Sequence, residues 1–410
     1  MAFEHLIRIT KAAIALVTGV LCWTLYIINT PDKNVVITNL GHHIGGLAQI
    51  LFFLLGAMTI VELIDAHNGF EIITKRIKTR SKRRLIWIIC ILAFFLSAVL
   101  DNLTTTIVMI SLIRKLMANK QDRLLFAGAI IIAANAGGAW SPIGDVTTTM
   151  LWIGGQITAW TIVKGVLLPS IACLLAPLLI LNMTMKRNVE APAAATKEKD
   201  VTPNNLHRNI VFYTGIGILM LVPVFKTLTH LPPFMGMLLG LGILWIVLEI
   251  LHSKNEDQYR NQLTVAYALR KIDSPSILFF LGILLGISAL ESTQMLAGLS
   301  GWMNATIQSP NVIVMAIGLL SSVVDNVPLV AATMGMYSLD QYPTDHHFWQ
   351  FLAYSTGTGG SALIIGSAAG VAAMGMEKIE FGWYMKKISW LALIGFFAGA
   401  LVFLAQTRLW

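Results

Sequence analysis

Two short stretches of this sequence are nearly the same, and each places an aspartate and an asparagine inside a long apolar segment. Residues 97–102 read Ser-Ala-Val-Leu-Asp-Asn, and residues 321–326 read Ser-Ser-Val-Val-Asp-Asn. An ionisable side chain is costly in a hydrophobic segment, so residues of this kind usually serve a function. We therefore expect Asp101 and Asp325 to contribute to one binding site, built from a duplicated element.

Three further acids lie in apolar sequence: Asp145, Glu62 and Glu291. Asp145 falls in an interruption that is rich in glycine and contains a proline. Glu62 and Glu291 occupy similar places in the two halves, near the ends of apolar segments, and are possible site residues. A carboxylate at such an end can equally face water at the membrane surface, so that alternative stays open for both glutamates.

These five acids have no lysine or arginine close to them in the sequence. An unpaired carboxylate in a medium of low dielectric constant either takes up a proton or recruits a cation. A group with these two accessible states is what a cation/proton exchanger requires. The shortage of basic residues also argues against an anionic substrate, unless helix N-termini supply the positive field.

The polar residues around the acids carry oxygen ligands. They are Asn102, Thr104, Thr105, Asn135, Ser141, Thr147, Thr148, Ser321, Asn326 and Ser361. Amide, hydroxyl and carboxylate oxygens suit alkali and alkaline-earth ions, whereas cysteine or histidine would indicate a transition metal. Each serine or threonine can instead bond to its own helix backbone.

We expect Asp145, Asp101 and Asp325 to be the ligands of a small cation. Asp145 is the leading candidate for the residue at which this cation and protons compete, and the other two aspartates shape the site. The transported ion aside, no cofactor is expected.

The composition indicates an integral membrane protein. Of the 410 residues, 56% are apolar and 12% are charged, whereas a soluble domain carries about 25% charged residues. The net charge of +8 is concentrated in a basic run at residues 75–84. Such a run between apolar segments marks the inner side of a membrane, so we expect no nucleic-acid partner.

Interruptions divide the apolar segments into unusual elements. Residues 85–117 are apolar except near Asp101, and basic residues flank both ends. If both flanks lie inside, the segment enters and leaves on one side, which predicts a re-entrant hairpin. Residues 124–155 are apolar but are broken by a Gly-Gly pair and Pro142, which predicts an interrupted transmembrane helix.

The second half repeats this order of elements. Residues 1–185 form the first repeat, and 186–208 form a polar cytoplasmic linker. Residues 209–410 contain an extra span and the second repeat, whose hairpin lies at 311–337 and whose broken helix lies at 348–376. Helix breaks within a membrane persist only where protein, water or an ion completes the backbone bonding, so we expect the binding site at the breaks.

Further matches support the duplication. Residues 50–54 and 277–281 both read Ile-Leu-Phe-Phe-Leu, and Gly137-Gly138 matches Gly359-Gly360. The extra span reverses the second repeat, so the fold class is an all-α polytopic membrane protein with two inverted-topology repeats. We expect a multi-pass protein of the cell (bacterial inner) membrane, with its N-terminus in the cytoplasm and its C-terminus outside.

The segments at 97–105, 135–148 and 321–328 resemble the NhaD-type sodium/proton antiporters, which belong to the ion transporter superfamily. The resemblance implies exchange of sodium or lithium for protons, with no enzymatic activity. It also implies a homodimer in the lipid bilayer, each protomer having a scaffold and a moving transport domain. The family pattern marks Asp101, Asn102, Asn135, Asp145, Thr147, Thr148, Ser321, Asp325 and Asn326.

Two other functions stay open. Within the superfamily, dicarboxylate carriers have a Ser-Asn-Thr sequence at the hairpin tip, without an acid, so Asp101 and Asp325 argue against that branch. Arsenite permeases share an Asp-Asn element and are harder to distinguish. From another class, an intramembrane aspartyl protease also needs two buried acids. Its usual Gly-x-Gly-Asp motif is absent, because Asp145 follows Ser-Pro-Ile-Gly.

Overall fold

The computed structural model of the chain describes residues 10–74, 77, 79–185, 205–252 and 263–409. The helices of the first half are α1 (Lys11–Asn29), α2 (Lys33–Ala66), α3 (Glu71–Thr74), α4 (Lys82–Leu100), α5 (Asn102–Leu116), α6 (Lys120–Ala139), α7 (Val146–Ile153) and α8 (Ala159–Thr184). Those of the second half are α9 (Asn205–Thr229), α10 (Pro233–His252), α11 (Val265–Lys271), α12 (Ser274–Ser292), α13 (Met295–Ile307), α14 (Pro310–Leu320), α15 (Asn326–Met336), α16 (His347–Gly359), α17 (Ala368–Glu377), α18 (Phe381–Tyr384) and α19 (Trp390–Leu409). Most of the expected linker, residues 186–204, lies outside the described residues.

The all-α, polytopic prediction is confirmed. Within the described ranges, nine helices are long and apolar enough to cross a membrane. Many of their large apolar side chains face outward, as they do where lipid rather than water surrounds a protein. The last span is continuous from α18 to α19 through a π-helical turn at Met385–Ser389.

Helices α4 and α5 form a hairpin whose tip is Asp101. At this residue the backbone adopts φ 83°, which ends α4 and starts α5 in a new direction. The start of α4 lies beside α6, because Lys82 Nζ donates to Asp122 Oδ1 at 2.8 Å. The residue after α5 lies there too, since Arg123 Nη1 donates to the Met117 carbonyl at 3.2 Å. Both arms therefore begin and end on the same side of the molecule.

Helices α14 and α15 form the matching hairpin in the second half. Its tip is the turn 321–325, which separates the two arms. The far end of α15 returns to the start of α14, because Tyr337 Oη donates to Asn304 Oδ1 at 3.2 Å and Asn304 lies in the helix just before α14. The structure thus contains both hairpins that the sequence predicts, with bounds that differ by a few residues.

The two broken helices, α6–α7 and α16–α17, run in opposite directions. The start of α6 lies beside the end of α17, where Arg123 Nε and Glu377 Oε2 are 3.1 Å apart. At the other end of the molecule, the Thr158 amide after α7 donates to Asp345 Oδ1, just before α16, at 2.6 Å. An antiparallel pair of equivalent elements is what two inverted-topology repeats require, and the predicted fold class is confirmed.

Equivalent hydrogen bonds join each hairpin to its broken helix. Ser97 Oγ donates to the Ala134 carbonyl at 2.6 Å, and Ser321 Oγ shares its hydrogen between the Gly318 carbonyl and the Thr356 carbonyl, the latter at 3.1 Å. Each serine stands at the same place in the repeated phrase. The duplication therefore preserves tertiary contacts as well as sequence.

Gly359 allows the second hairpin to approach its broken helix closely. A Cβ atom at this position would overlap the backbone carbonyl of Gly318 in α14 and would lie 2.9 Å from Ser321 Oγ. Gly137 approaches the Phe94 carbonyl in α4 in the same way. A side chain at either position would push a hairpin arm away from the helix that it packs against.

We expect Gly359→Ala to lower the thermal stability of the purified protein, because overpacking a rigid contact costs about 1–3 kcal/mol. Gly375→Ala is the matched control, since a Cβ at Gly375 meets nothing within 4 Å. In a helix that exchange is neutral or stabilising by up to about 1 kcal/mol. Tryptophan fluorescence during heating measures both variants, and equal melting temperatures for the two would contradict the close-packing interpretation.

Helix α1 packs along α12, and the two run in the same direction. Lys11 Nζ lies 4.6 Å from the centre of the Phe279 ring near the starts of both helices. Further along, Trp23 Nε1 donates to the Leu285 carbonyl at 2.9 Å, and Gly19 packs against Gly282. Helices α2, α9 and α10 pack together beside this pair. We call α1, α2, α9, α10 and α12 the scaffold helices.

Candidate functional site

Four short helices begin in the interior of the molecule, each at a residue whose side chain caps it. Helices α5, α7 and α15 begin after Asp101, Asp145 and Asp325, and α17 begins after Ser367. A helix N-terminus carries partial positive charge and exposed amides, which a carboxylate stabilises. The sequence motifs therefore place three acids at helix N-termini, where their carboxylates accept hydrogen bonds from otherwise unpaired backbone amides.

Asp145 lies at the junction of both hairpins. Its Oδ2 atom accepts from Asn102 Nδ2 at 3.4 Å and from Asn326 Nδ2 at 3.2 Å. Asn102 follows the tip of one hairpin and Asn326 follows the tip of the other. Asp145 is 2% exposed, so one buried carboxylate oxygen is shared by the two asparagines of the repeated phrase.

Asn135 links the two broken helices beside Asp145. Its Oδ1 accepts from Asn102 Nδ2 at 3.0 Å. Its Nδ2 donates to Ser361 Oγ at 2.8 Å and to Ser367 Oγ at 3.0 Å. This buried network uses neutral amide and hydroxyl groups, which orient the site without adding charge to it.

The three aspartates line one cavity. Its wall includes Asp101, Asp145, Asp325 and Lys11, together with apolar side chains from the scaffold helix α2. Asp101 accepts from the Thr104 amide at 2.8 Å and from Thr104 Oγ1 at 2.9 Å. Carboxylate and amide side chains therefore line one space, and oxygens of these kinds are the ligands that hard cations prefer.

Lys11 is a functional candidate that the sequence analysis missed. Its Nζ lies 3.8 Å from Asp325 Oδ2, although Asp325 has no basic residue near it in the sequence. Ser367 was missed as well. One signal was available for it: Gly366 matches Gly144 in the repeat, so Ser367 occupies the place of Asp145. Nothing in the sequence signalled Lys11.

Several predicted hydroxyl ligands donate to backbone carbonyls. Ser141 Oγ donates to the Ala98 carbonyl at 2.5 Å, Thr148 Oγ1 to the Asp145 carbonyl at 2.9 Å, and Ser321 Oγ to the Gly318 carbonyl at 2.7 Å. These bonds hold the breaks in shape. The hydroxyls of Thr105 and Thr147 are buried.

Glu62 and Glu291 lie away from the aspartates. Glu62 Oε1 is 3.3 Å from Lys271 Nζ near the end of α2. Glu291 lines a second cavity together with His42 and His43. The structure therefore does not bring either glutamate into the cavity that holds the three aspartates.

An apolar cluster lies between the two cavities. Its buried members are Ile50 and Leu54 of α2, Met150 of α7, Leu284 of α12, and Val327 and Ala331 of α15. Leu54 and Val327 line the cavity of the aspartates, whereas Ile50, Met150, Leu284 and Ala331 line the other one. Scaffold helices and the helices of the breaks meet in this cluster, which closes one end of the aspartate site.

Comparison with known proteins identifies relatives over the whole chain. A family model described as citrate transporter matches residues 1–353. The chain is 48% identical to sodium/proton antiporter 1 of Arabidopsis thaliana, over 99% of this chain and 70% of that protein. It is 46% identical to sodium/proton antiporter 2 of the same plant, over 98% and 96%. It is 28% identical to the Na⁺/H⁺ antiporter NhaD of Vibrio cholerae, over 95% and 85%.

A solved structure has a similar fold. The YdaH transporter of Alcanivorax borkumensis, described as having an unusual topology, matches with a TM-score of 0.56 and 12% sequence identity. The match covers 96% of this chain and 98% of that one. At this identity the likeness concerns the fold alone.

Proposed function

The chain belongs to the citrate transporter family and, within it, to the NhaD-type sodium/proton antiporters, and from this premise we propose that it exchanges sodium for protons across a membrane. It is a multi-pass membrane transporter. The observation that carries the proposal is the position of Asp145, which is buried and bonded to both hairpin tips. A carboxylate in that position holds either a proton or a cation.

Asp145 is the group at which the two substrates compete in this proposal. When it is ionised, sodium binds between the carboxylates of Asp101, Asp145 and Asp325 and takes further oxygens from Asn102 and Asn326. When it takes up a proton, the site loses the charge that holds sodium. Sodium and protons therefore leave the same site in turn, which couples their opposite movements.

Access to the site alternates between two sides. The cavity of the aspartates reaches the ends of the scaffold helices marked by Lys11 in α1 and Val61 in α2. The apolar cluster separates it from the cavity at the other ends of these helices, which His43 and Glu291 line. We propose that the hairpins and broken helices move against the scaffold helices, opening the second cavity as the first one closes.

Carboxylate transport is a second candidate, because the matching family model is described as a citrate transporter. Lys11 is the basic residue in the described lining of the cavity, where it stands beside three aspartates. A carboxylate substrate would meet repulsion from these acids, and the helix N-termini that could attract it are already capped by them. The charge of the cavity therefore favours a cation.

The remaining features of the proposal concern the ion and the assembly. Lithium shares the charge and the preference for oxygen ligands of sodium, so we propose it as a second substrate. An odd number of crossings would put the two termini on opposite sides of a cell membrane, and the basic run at residues 75–84, if it lies inside, supports an inner N-terminus and an outer C-terminus. A homodimer would bury part of the exposed apolar surface of the scaffold helices.

The test is proton flux in proteoliposomes that contain the purified protein and carry a pH gradient. Adding Na⁺ or Li⁺ is expected to collapse the gradient, whereas choline chloride at the same concentration is not. Citrate and arsenite are added in separate experiments. A response to citrate or arsenite without one to Na⁺ or Li⁺ would contradict the proposal and favour the other branches of the superfamily.

A further inference from the structure

Lys11 places a positive charge within the aspartate site from outside the hairpins. It is the first residue of α1, and its side chain is held beside the Phe279 ring of α12. Its Nζ lies 3.8 Å from Asp325 Oδ2 and lines the same cavity as Asp101 and Asp145. An ammonium group on a scaffold helix therefore contacts the acid at the tip of the second hairpin.

The three acids of the cavity differ in their partners. The carboxylate of Asp145 accepts from two asparagine amides, and that of Asp101 accepts from Thr104. Asp325 accepts from the Val327 amide and, among the described residues, it is the one of the three acids that has a cationic partner. Its side chain is 15% exposed and that of Lys11 is 26% exposed, so solvent screens the pair only in part.

We infer that Lys11 is a tethered cation that competes with the transported sodium ion for Asp325. This inference rests on the proposed sodium/proton exchange. With the ammonium group beside it, Asp325 is already neutralised, and a sodium ion entering the cavity is repelled by Lys11. Lys11 thus weakens sodium binding on the side to which the cavity opens, and it favours release of the ion there.

The placement of Lys11 also makes the competition depend on the state of the transporter. Lys11 belongs to a scaffold helix, whereas Asp325 belongs to a hairpin that moves in the proposed cycle. The ion pair forms only when the hairpin tip stands at the level of Lys11. In the other state Asp325 would be released from the ammonium group, and the site would hold sodium more tightly.

The test measures sodium binding without transport. The full chain is purified in detergent, and its melting temperature is recorded against Na⁺ concentration, with choline chloride holding the ionic strength constant. A ligand that binds the folded state raises the melting temperature, and the concentration dependence gives an apparent Kd. Lys11→Gln is expected to lower the apparent Kd for Na⁺ about fivefold to tenfold, because it removes one like charge at the site.

Two single variants separate this role from a structural one. Lys11→Arg keeps the charge and is expected to bind Na⁺ with the wild-type Kd. Lys271→Gln removes a lysine from another ion pair, that with Glu62, which does not line the cavity, so it is expected to leave the Kd unchanged. A purely structural Lys11 would lower the sodium-free melting temperature when replaced, without tightening sodium binding.

A double variant identifies Asp325 as the partner. In an Asp325→Asn background, adding Lys11→Gln is expected to lower the Kd by a clearly smaller factor than it does in the wild-type protein, because the competition for this carboxylate is gone and only the repulsion between Lys11 and sodium remains. A wild-type protein that shows no sodium-dependent stabilisation and no flux would contradict the proposed exchange itself. A wild-type response with an unchanged Kd in Lys11→Gln would overturn only the competition by Lys11.

Discussion

Asp145→Asn is expected to abolish sodium-dependent proton flux while leaving the fold intact. The amide has the size of the carboxylate, and its oxygen can still accept from Asn102 and Asn326, which hold Asp145 at 3.4 and 3.2 Å. It cannot take up a proton or neutralise a cation. Flux is expected to fall at least about a hundredfold, since loss of a charge–cation contact in a shielded site costs on the order of 3 kcal/mol and ~1.4 kcal/mol is tenfold.

The measurement is the rate at which added Na⁺ collapses a pH gradient in proteoliposomes. Asp340→Asn is the control, because Asp340 is an exposed acid in the connection between α15 and α16. It loses the same charge and is expected to transport at the wild-type rate. Unchanged size-exclusion behaviour and melting temperature of Asp145→Asn are part of the expectation. Normal sodium-dependent flux in that variant would remove Asp145 from the site of competition.

Glu377→Gln is expected to cause a large loss of stability. The Glu377 side chain is 2% exposed, and its carboxylate oxygens lie 2.6 Å from Arg114 Nε and 3.1 Å from Arg123 Nε. These arginines belong to the end of the first hairpin and the start of its broken helix, whereas Glu377 ends the broken helix of the other repeat. Removing one member of a buried ion pair costs about 3–5 kcal/mol, and the partial exposure of Arg114 favours the lower end of this range.

The melting temperature of the detergent-purified protein tests this expectation. Glu380→Gln is the matched control, since Glu380 is exposed and lies three residues further along the chain. The control is expected to have the melting temperature of the wild-type protein, and Glu377→Gln is expected to have a clearly lower one. Equal melting of the two variants would mean that the contact between the repeats at this end does not depend on the ion pair.

The sequence predicts much of this fold because the costs involved are local. A carboxylate within an apolar segment, or a proline within a helix, is unfavourable wherever the rest of the chain lies. The sequence alone is therefore enough to identify Asp101, Asp325 and the helix breaks near Asp145. The duplication then indicates which of these features belong to the same site.

The partners of these residues were decided by the tertiary structure. Lys11 meets Asp325 because α1 packs along α12, and Glu377 meets Arg114 and Arg123 because the broken helices are antiparallel. Such contacts join residues that are far apart in the chain, and they depend on which faces of the helices meet and at what level.

Helix packing also decided the hydrogen-bond partners of the hydroxyl groups and the positions of the two glutamates. The sequence predicts Ser141 and Thr148 as ion ligands, whereas in the structure their hydroxyl groups donate to backbone carbonyls. The sequence also indicates Glu62 and Glu291 as possible site residues, and in the structure both lie outside the cavity of the aspartates. The sequence by itself determined that there are buried acids at duplicated helix breaks, since residue type sets that cost. Only the tertiary structure decided which oxygens and charges surround them, because distances between helices are set by packing.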